Sequence, residues 1–383
     1  MIVHPPMANP PTQVDVLVLG EHPSAYLSAA LLRQSGELKV FHCTLPAERS
    51  IERLVVVNPM FYSLHQSLAP LRRKIKSTPI HGLQFLGELA SEQNEYSNKS
   101  AVALICSYRQ IRDALADLAK RNGVQMARPR SLDIGLPDEQ GVLVKAGSQL
   151  IHANILVVAC ELPRELRRPL GIADAWDRNL MQRYSFITLQ PDSADRVSRP
   201  LMPMSLDLKG TSAWAWMLPG REQMQLAVQQ PLLGADQVKP CELLRHWAMV
   251  LGRHGLLQQS QNLSFEKIQS IDFPAAAALE VDGVANRTLL IGPAGGFYSA
   301  GGEDIYPNCW SAIHAADVIR KALKQPHLQD ALQPYRTRWR TTLGEYLRGP
   351  QQNLRFLLPL AYRNPKMSSR LAESILQGKS LVR

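Results

Sequence analysis

Residues 14–34 read VDVLVLGEHPSAYLSAALLRQ, and this stretch decides the fold. Its first six residues are mostly apolar and β-branched, which predicts a buried strand that ends at Gly20. From Pro23 onward Ala, Leu and Tyr recur at helical spacing, so we expect a helix that buries one face. A second strand is predicted at 38–41. A strand, a tight turn, a helix and a second strand in this order are typical of a parallel sheet.

Similar elements recur later in the chain. Residues 155–158 and 288–291 are mostly apolar, as expected for strands that are covered on both faces. A helix is predicted at 108–122, and a long helix is expected to begin near Ile305 or Pro307. Three segments between these elements read as strands of an antiparallel sheet: 185–190, 212–218 and 224–230. One domain is therefore predicted to be discontinuous and to contain the other as an insertion.

The composition fits a globular protein of two domains and disfavours several classes. The chain has 383 residues, of which 45% are hydrophobic and 20% are charged. The Pro-rich residues 1–12 lack the apolar core of a secretory signal, and no later run approaches a membrane span, so a cytoplasmic protein is expected. The five cysteines include no CxxC pair, which favours buried free thiols. The ten histidines form no HxxxH or HxH pair, so no metal site is predicted.

The net charge of +10 is concentrated at the C-terminal end. Residues 335–383 contain ten Lys or Arg against two acids, which supplies +8 of the total. Because Leu, Phe and Tyr are interspersed, this region is predicted to contact an anionic surface, such as a membrane that carries the substrate. The protein would then be a peripheral membrane protein. A solvated helical surface is the alternative, and nucleic acid is not expected because no binding motif accompanies the charge.

The turn after the first strand has part of a dinucleotide-binding motif. Such loops carry three glycines, because the backbone must turn tightly, approach a pyrophosphate and pack closely on the helix. Here Gly20 keeps the first position, Ala25 is an accepted substitute at the last, and His22 replaces the middle glycine. The helix N-terminus would still offer free N–H groups to a phosphate. The acid that would bind a ribose after the second strand is missing, since His42 or Cys43 stands there.

A second glycine-rich loop lies between the strand at 288–291 and the long helix. It reads GPAGGFYSAGGEDI at 292–305. Glycines ahead of a helix favour a backbone that approaches a ligand at the helix N-terminus. An ordinary Gly-rich connection is the alternative.

On these motifs the chain resembles the geranylgeranyl reductase family, within the larger group of FAD-dependent oxidoreductases that includes p-hydroxybenzoate hydroxylase. Residues 16–25 are similar to the VxVxGxGPAG unit that binds the ADP part of FAD in that group, including Pro23. Arg109 and Asp113 match an Arg-x-x-x-Asp pair that opens a helix beside the cofactor. The resemblance covers nearly the whole chain in the right order.

Two later segments extend the resemblance. Trp214 and Trp216 match an aromatic strand that lines the substrate cavity in the reductases, although core packing is the alternative for both side chains. The loop at 292–297 stands where the family has Gly-Asp-Ala-Ala-Gly-Phe, whose Asp contacts the flavin. Pro293 takes the place of that Asp, which removes a carboxylate and a backbone N–H.

The resemblance implies an α/β fold. It has a Rossmann-like FAD/NAD(P)-binding domain with a central parallel sheet, an inserted and mostly antiparallel substrate domain, and a C-terminal helical tail. The implied limits are 14–48, 100–170 and 280–330 for the first domain, 49–99 and 171–279 for the second, and 331–383 for the basic helical region. Residues 49–98 themselves are expected to be irregular. The implied cofactor-binding residues are Gly20, His22, Pro23, Ala25, Arg109, Gly292, Pro293, Gly295, Gly296, Gly301 and Gly302.

Three functions are compatible with these observations. The first is an FAD-dependent oxidoreductase that reduces a double bond in an apolar, prenyl-like substrate, with NAD(P)H as the candidate electron donor. No catalytic side chain is assigned, because the flavin would carry the chemistry. The second is a flavin monooxygenase or hydroxylase on the same scaffold. The third is a flavoprotein fold that no longer binds FAD and acts as a binding module. Departures at four cofactor contacts favour it. Three are His22, the missing acid and Pro293. The fourth is Leu162, which replaces the glycine of an Asp-Gly pair that the family has after the strand matching 155–159.

Overall fold

The structure is a computed structural model that describes most of the chain. The described residues are 12–34, 36–45, 51–173, 175–190, 201–234, 237–258, 263–299, 301–348, 362–379 and 381. Their strands are β1 (Thr12–Leu19), β2 (Val40–Cys43), β3 (Leu54–Val57), β4 (Ser77–Ile80), β5 (Gly82–Leu86), β6 (Gln93–Ser97), β7 (Ala103–Ser107), β8 (Gln125–Ala127), β9 (Leu132–Ile134), β10 (Val142–Ala146), β11 (Gln149–Val158), β12 (Met181–Leu189), β13 (Leu201–Ser205), β14 (Trp214–Pro219), β15 (Met224–Pro231), β16 (Gln269–Pro274), β17 (Val284–Ala285) and β18 (Thr288–Leu290). Their α-helices are α1 (Pro23–Arg33), α2 (Tyr108–Arg121), α3 (Arg164–Arg167), α4 (Pro240–Arg253), α5 (Ile305–Ala322), α6 (Leu328–Leu332), α7 (Pro334–Arg348) and α8 (Pro365–Gln377).

The first sheet has eight strands, and its centre is parallel. Its path runs β17-β18-β11-β1-β2-β8, and β10 and β9 extend it beside β11. β1 lies between β2 and β11 and is parallel to both, with Val16 opposite Val40 on one side and Ile155 on the other. The last four residues of β1 are all buried. The predicted parallel sheet is thus confirmed, and its central strand is covered on both faces as its apolar sequence requires.

The second sheet has seven strands in the order β16-β12-β15-β14-β13-β5-β6. Its neighbours pair antiparallel except β13 and β5, so the predicted antiparallel sheet is also confirmed. A third sheet, β3-β7-β4, is antiparallel and has three strands. The expectation that residues 49–98 are irregular is wrong, since they contain β3, β4, β5 and β6. These strands have only four or five residues, and β6 is the polar run QNEYS, so they give little periodic signal.

Two helices bring the glycine-rich loops together. α1 follows β1, and α5 follows the loop after β18. Because β1 and β18 are both parallel to β11, their carboxyl ends meet at one edge of the sheet. α1 packs against α5, and both helices contain fully buried alanines, whose small side chains suit a close approach of two backbones. These alanines are Ala29, Ala30, Ala312, Ala315 and Ala316. Both helix N-termini therefore lie at the edge where doubly wound folds bind ligands.

The C-terminal helices pack on two different layers. α7 contacts α5 and places the fully buried Trp339 in the same core, whereas α8 lies against β6. The predicted helical tail is therefore confirmed where it is described, and residues 349–361 lie outside the described residues. The predicted domain limits remain a prediction, although β7, within the 100–170 segment, pairs with β3 and β4 rather than with the parallel sheet. In the parts of the chain that the structure covers, none of the helices has the length and apolar character needed to cross a bilayer.

Candidate functional site

The N-terminus of α1 is filled by the side chains of its own turn. His22 is the N-cap residue, and its Nδ1 accepts the backbone N–H of Ser24 at 3.2 Å and the Ser24 hydroxyl at 2.8 Å. Pro23, the next residue, has no N–H to donate. His22 is 5% exposed, and Ser24 and Ala25 are fully buried. The backbone N–H groups that would bind a phosphate at this turn are thus either hydrogen-bonded within the protein or buried.

Gly292 brings the second loop directly onto this turn. Its φ of +54° lies in the left-handed region, and a Cβ built on it would lie 2.2 Å from Ser24 Oγ. Its N–H donates to Ser311 Oγ at 3.0 Å. The backbone at Gly292 does approach another group closely, as expected, but that group is the side chain of Ser24. No gap of phosphate size separates Gly292 from Ser24.

His42 occupies the end of β2, where a ribose-binding acid would stand. It is almost completely buried, and its Nε2 donates to the Gly20 carbonyl at 2.7 Å. Its ring lies 4.7 Å from the ring of Tyr26. Burial lowers the pKa of His42 to about 4, so the ring is neutral at physiological pH. Glu21, the residue after Gly20, pairs with Arg128 at 3.3 Å.

A buried ion cluster lies between the two helix N-termini. The Asp304 carboxylate accepts from Arg53 at 2.5 Å and lies 3.7 Å from His22 Nε2. The guanidinium of Arg53 stacks 3.9 Å from the centre of the Tyr108 ring. Burial alone would raise the pKa of Asp304, but Arg53 and His22 outweigh it and lower that pKa. Burial also lowers the pKa of His22, so the cluster is a charged Arg53–Asp304 pair beside a neutral imidazole.

Glu303 is held beside this cluster by three donors. Its Oε1 accepts the backbone N–H groups of Asn58 at 3.1 Å and Tyr306 at 3.3 Å, and its Oε2 accepts the hydroxyl of Tyr346. Burial raises the pKa of Glu303 to about 7, because the three donors only partly replace the water that the carboxylate has lost. Glu303 is therefore a second acid at this site that can change its protonation near neutral pH.

A cavity opens at the junction between β3, the seven-stranded sheet and the loop before α5. About 480 Å³ of free space lies in it and at its open mouth, and the centre of a water molecule can occupy about 50 Å³ of this space. Aromatic rings form much of its wall: Tyr184, Trp216, Phe273 and Tyr298. Arg53, Glu303 and Asp304 supply its polar groups. We call this space the junction cavity.

The structure brings only some of the predicted site residues to the junction cavity. Gly301, Gly302 and Trp216 line it, and Trp214 lies nearby, with its ring 3.9 Å from a Cβ built on Gly301. Arg109 does not face it, since its side chain is 64% exposed and pairs with Glu52 at 2.6 Å in a separate groove.

The remaining predicted glycines serve backbone packing. Gly20 has a φ of +121°, and a Cβ on it would lie 2.9 Å from Cys160 Cβ. Pro293, Gly295 and Gly296 belong to a buried 3-10 turn, in which Gly296 has a positive φ. Gly20, Gly295 and Gly296 need to stay small because other parts of the chain touch them.

Sequence reasoning missed the polar centre of the site. Arg53 lies in the segment expected to be irregular, where nothing distinguishes it from other surface arginines. Glu303 and Asp304 could have been identified from the sequence. Two acids directly after Gly301-Gly302 and ahead of a helix indicate polar side chains at the edge of the sheet where a ligand would bind. Tyr184 and Tyr298 come from β12 and the α5 loop, and only the tertiary fold brings them to one cavity.

The described residues contain no group of three or more His, Cys, Asp or Glu side chains that could hold a metal ion. All five cysteines are free, and four of them are buried as predicted, whereas Cys241 is half-buried.

Comparisons with known proteins find similar structures. No family model matches the chain, and no curated protein matches it in sequence. Among solved structures, a geranylgeranyl bacteriochlorophyll reductase-like protein from Thermoplasma acidophilum superposes with a TM-score of 0.73 at 14% identity over 96% of both chains. PqsL from P. aeruginosa, solved with 2-aminobenzoylacetate, gives 0.67 at 17% identity over 96% of this chain and 99% of its own. Klebsiella pneumoniae HpxO, solved with FAD and uric acid, gives 0.66 at 15% identity over 95% and 97%.

The chain has the fold of the FAD-dependent oxidoreductases. This confirms the fold expected from the resemblance, and at these identities it establishes the fold alone. The residues present do not fit FAD at the N-terminus of α1, where a dinucleotide places its pyrophosphate. His22 and Ser24 fill that turn, Gly292 closes onto it, and His42 replaces the ribose-binding acid.

Proposed function

We propose that the protein binds a small apolar or aromatic molecule in the junction cavity and does so without FAD. The observation that carries this proposal is the contrast between the two parts of the site. The dinucleotide turn is filled by His22 and Ser24, whereas the space walled by Tyr184, Trp216 and Phe273 stays open. A concave, mostly apolar site with a few convergent polar groups is the usual form of a small-molecule site.

The walls and the polar groups would have separate roles. Tyr184 and Trp216 stack at 5.6 Å, and Phe273 and Tyr298 lie 5.1 Å apart, so the wall consists of two packed pairs of rings. Flat aromatic walls favour an apolar or aromatic body through burial and ring contacts. One N–H of Arg53 is used by Asp304, and the other donors of its guanidinium make no hydrogen bond within the described residues. They could orient a hydroxyl or carbonyl group of the ligand.

An FAD-dependent oxidoreductase, either reductase or monooxygenase, is the second candidate. The fold comparisons favour it. Solved structures named as a reductase-like protein and as a probable FAD-dependent monooxygenase match this chain over almost their whole length. It requires the turn at His22 to open by movement of α1 or of the Gly292 loop. The absorbance spectrum of the purified protein separates the two candidates: bound flavin would give its characteristic bands before or after incubation with FAD.

The binding proposal is tested by thermal unfolding with indole, a small neutral aromatic probe. We expect indole in hundredfold excess over its Kd to raise Tm by about 3 °C for a chain of this length. Val56 lines the cavity, so Val56→Phe should fill it and remove the shift. Leu136→Phe is the matched control, because Leu136 is 78% exposed and does not line the cavity. An equal shift in Val56→Phe, or no shift in the unmodified protein, contradicts the proposal.

A further inference from the structure

Three groups that attract anions converge on one carboxylate. Asp304 accepts from the Arg53 guanidinium at 2.5 Å and faces His22 Nε2 at 3.7 Å. It is also the N-cap residue of α5, although its carboxylate accepts no hydrogen bond from the first turn of that helix. The N-terminus of a helix carries a partial positive charge that favours an anion. Because Nδ1 of His22 accepts from Ser24, its ring proton is on Nε2 and points toward the carboxylate. His22 Nε2 is buried and has no hydrogen-bond partner among the described residues.

Arg53 depends on Asp304 for charge compensation. Its side chain is 13% exposed, and within the described part of the chain Asp304 is the acid that pairs with it. Tyr108 holds the guanidinium plane from one side, so Arg53 cannot turn toward water without losing this stacking. A buried cation without an anion is strongly unfavourable. An anion is therefore required at this point of the fold.

We propose that the junction of Arg53, His22 and the α5 N-terminus is a preformed site for a small oxyanion, and that Asp304 fills it as an internal anion. The chemical class that the site takes is a carboxylate. Removal of the Asp304 carboxylate should leave a site for an external carboxylate of the same size, reached through the junction cavity that Asp304 lines. This proposal does not depend on the ligand of the cavity, and it is tested without that ligand.

The test is chemical rescue of Asp304→Ala by formate. Alanine keeps Cβ, so the space that the substitution vacates is that of one carboxylate group, and formate matches it. The variant should lose about 4–6 °C in Tm, given the cost of an uncompensated buried charge and the unfolding entropy of a chain of this length. Sodium formate should restore at least half of that loss, and sodium chloride of equal ionic strength should restore much less.

Two variants control for general salt effects. Asp272→Ala removes a carboxylate of the exposed ion pair with Arg183, so formate should not change its Tm more than that of the unmodified protein. Asp304→Asn removes the charge but keeps the side chain, so formate cannot enter and should rescue it little. In Arg53→Met/Asp304→Ala the cation is absent as well, and formate should have no specific effect.

Each possible outcome either supports or overturns the proposed site. Selective rescue of Asp304→Ala by formate supports the site. If this variant does not fold alone, formate-dependent refolding and recovery of folding in the double variant give the same support. Equal responses of Asp304→Ala and Asp272→Ala to formate, or a Tm loss below about 1 °C in Asp304→Ala, overturn the proposal. Failure of the indole experiment would leave these results unchanged.

Discussion

Replacing Glu303 by glutamine should change how the stability of the protein depends on pH. Burial raises the pKa of Glu303 from 4.5 to about 7. Between these values the folded chain holds a proton that the unfolded chain has released. The free energy of unfolding therefore falls as the pH rises from 4.5 to 7, and it stays lower above pH 7. A glutamine at this position cannot titrate and should remove this part of the pH dependence.

The magnitude follows from the two pKa values. Their difference corresponds to about 3.4 kcal/mol, and this is an upper value because Glu303 is partly exposed to the cavity. Glutamine preserves the local bonds: its carbonyl can accept from Asn58 and Tyr306, and its amide can donate to the Tyr346 hydroxyl. We expect Glu303→Gln to match the unmodified protein at pH 5 and to be more stable at pH 8 by about 2–3 kcal/mol.

Urea unfolding at pH 5 and pH 8 measures this difference. Glu266→Gln is the matched control, because Glu266 is exposed and its replacement should leave the pH dependence as it is. The reasoning is refuted if Glu303→Gln loses as much stability between pH 5 and pH 8 as the unmodified protein. The Asp304 carboxyl does not interfere, since its pKa is lowered and its contribution is lost only at acidic pH below this window.

Two further predictions concern the loop contact and the basic region. Gly292→Ala should cost about 2–4 kcal/mol in urea unfolding, because its Cβ would meet Ser24 Oγ at 2.2 Å, whereas Gly255→Ala, with a similar positive φ but open space around it, should cost only about 1–2 kcal/mol. Vesicles with anionic lipid, but not neutral vesicles, should sediment the protein. Lys366→Glu/Arg370→Glu should weaken this, since both side chains are exposed and make no ion pair within the described residues.

Local sequence patterns were sufficient for the parallel sheet and its helices. β1 was recognisable because it contains a continuous apolar run. α1 was recognisable because its helical period extends over more than one turn. β14 was recognisable from its alternating tryptophans. β6 was not, because its sequence QNEYS lies largely exposed at a sheet edge, where burial imposes no pattern.

The polar centre of the site could not be predicted in the same way. Arg53 and Asp304 are 251 positions apart, and only the packing of β3 beside the start of α5 brings them together. No local pattern marks one arginine as the partner of one distant acid. By contrast, His22 and Gly292 were singled out because each lies in a loop whose motif is known. What the motif could not show is that the two loops touch each other through Ser24.

The contact between Ser24 and Gly292 gives a structural explanation for the residues that differ from the dinucleotide motif. Read separately, His22 and Pro293 are two lost contacts to a cofactor. In the structure they belong to one connected set: His22 caps α1 through Ser24, Ser24 packs on Gly292 beside Pro293, and His22 faces Asp304. Groups in contact contribute to stability jointly, so replacing one member by the residue of the dinucleotide motif would disturb the others. The filled turn is therefore better explained as a stable packing arrangement of this chain than as two independent losses at His22 and Pro293.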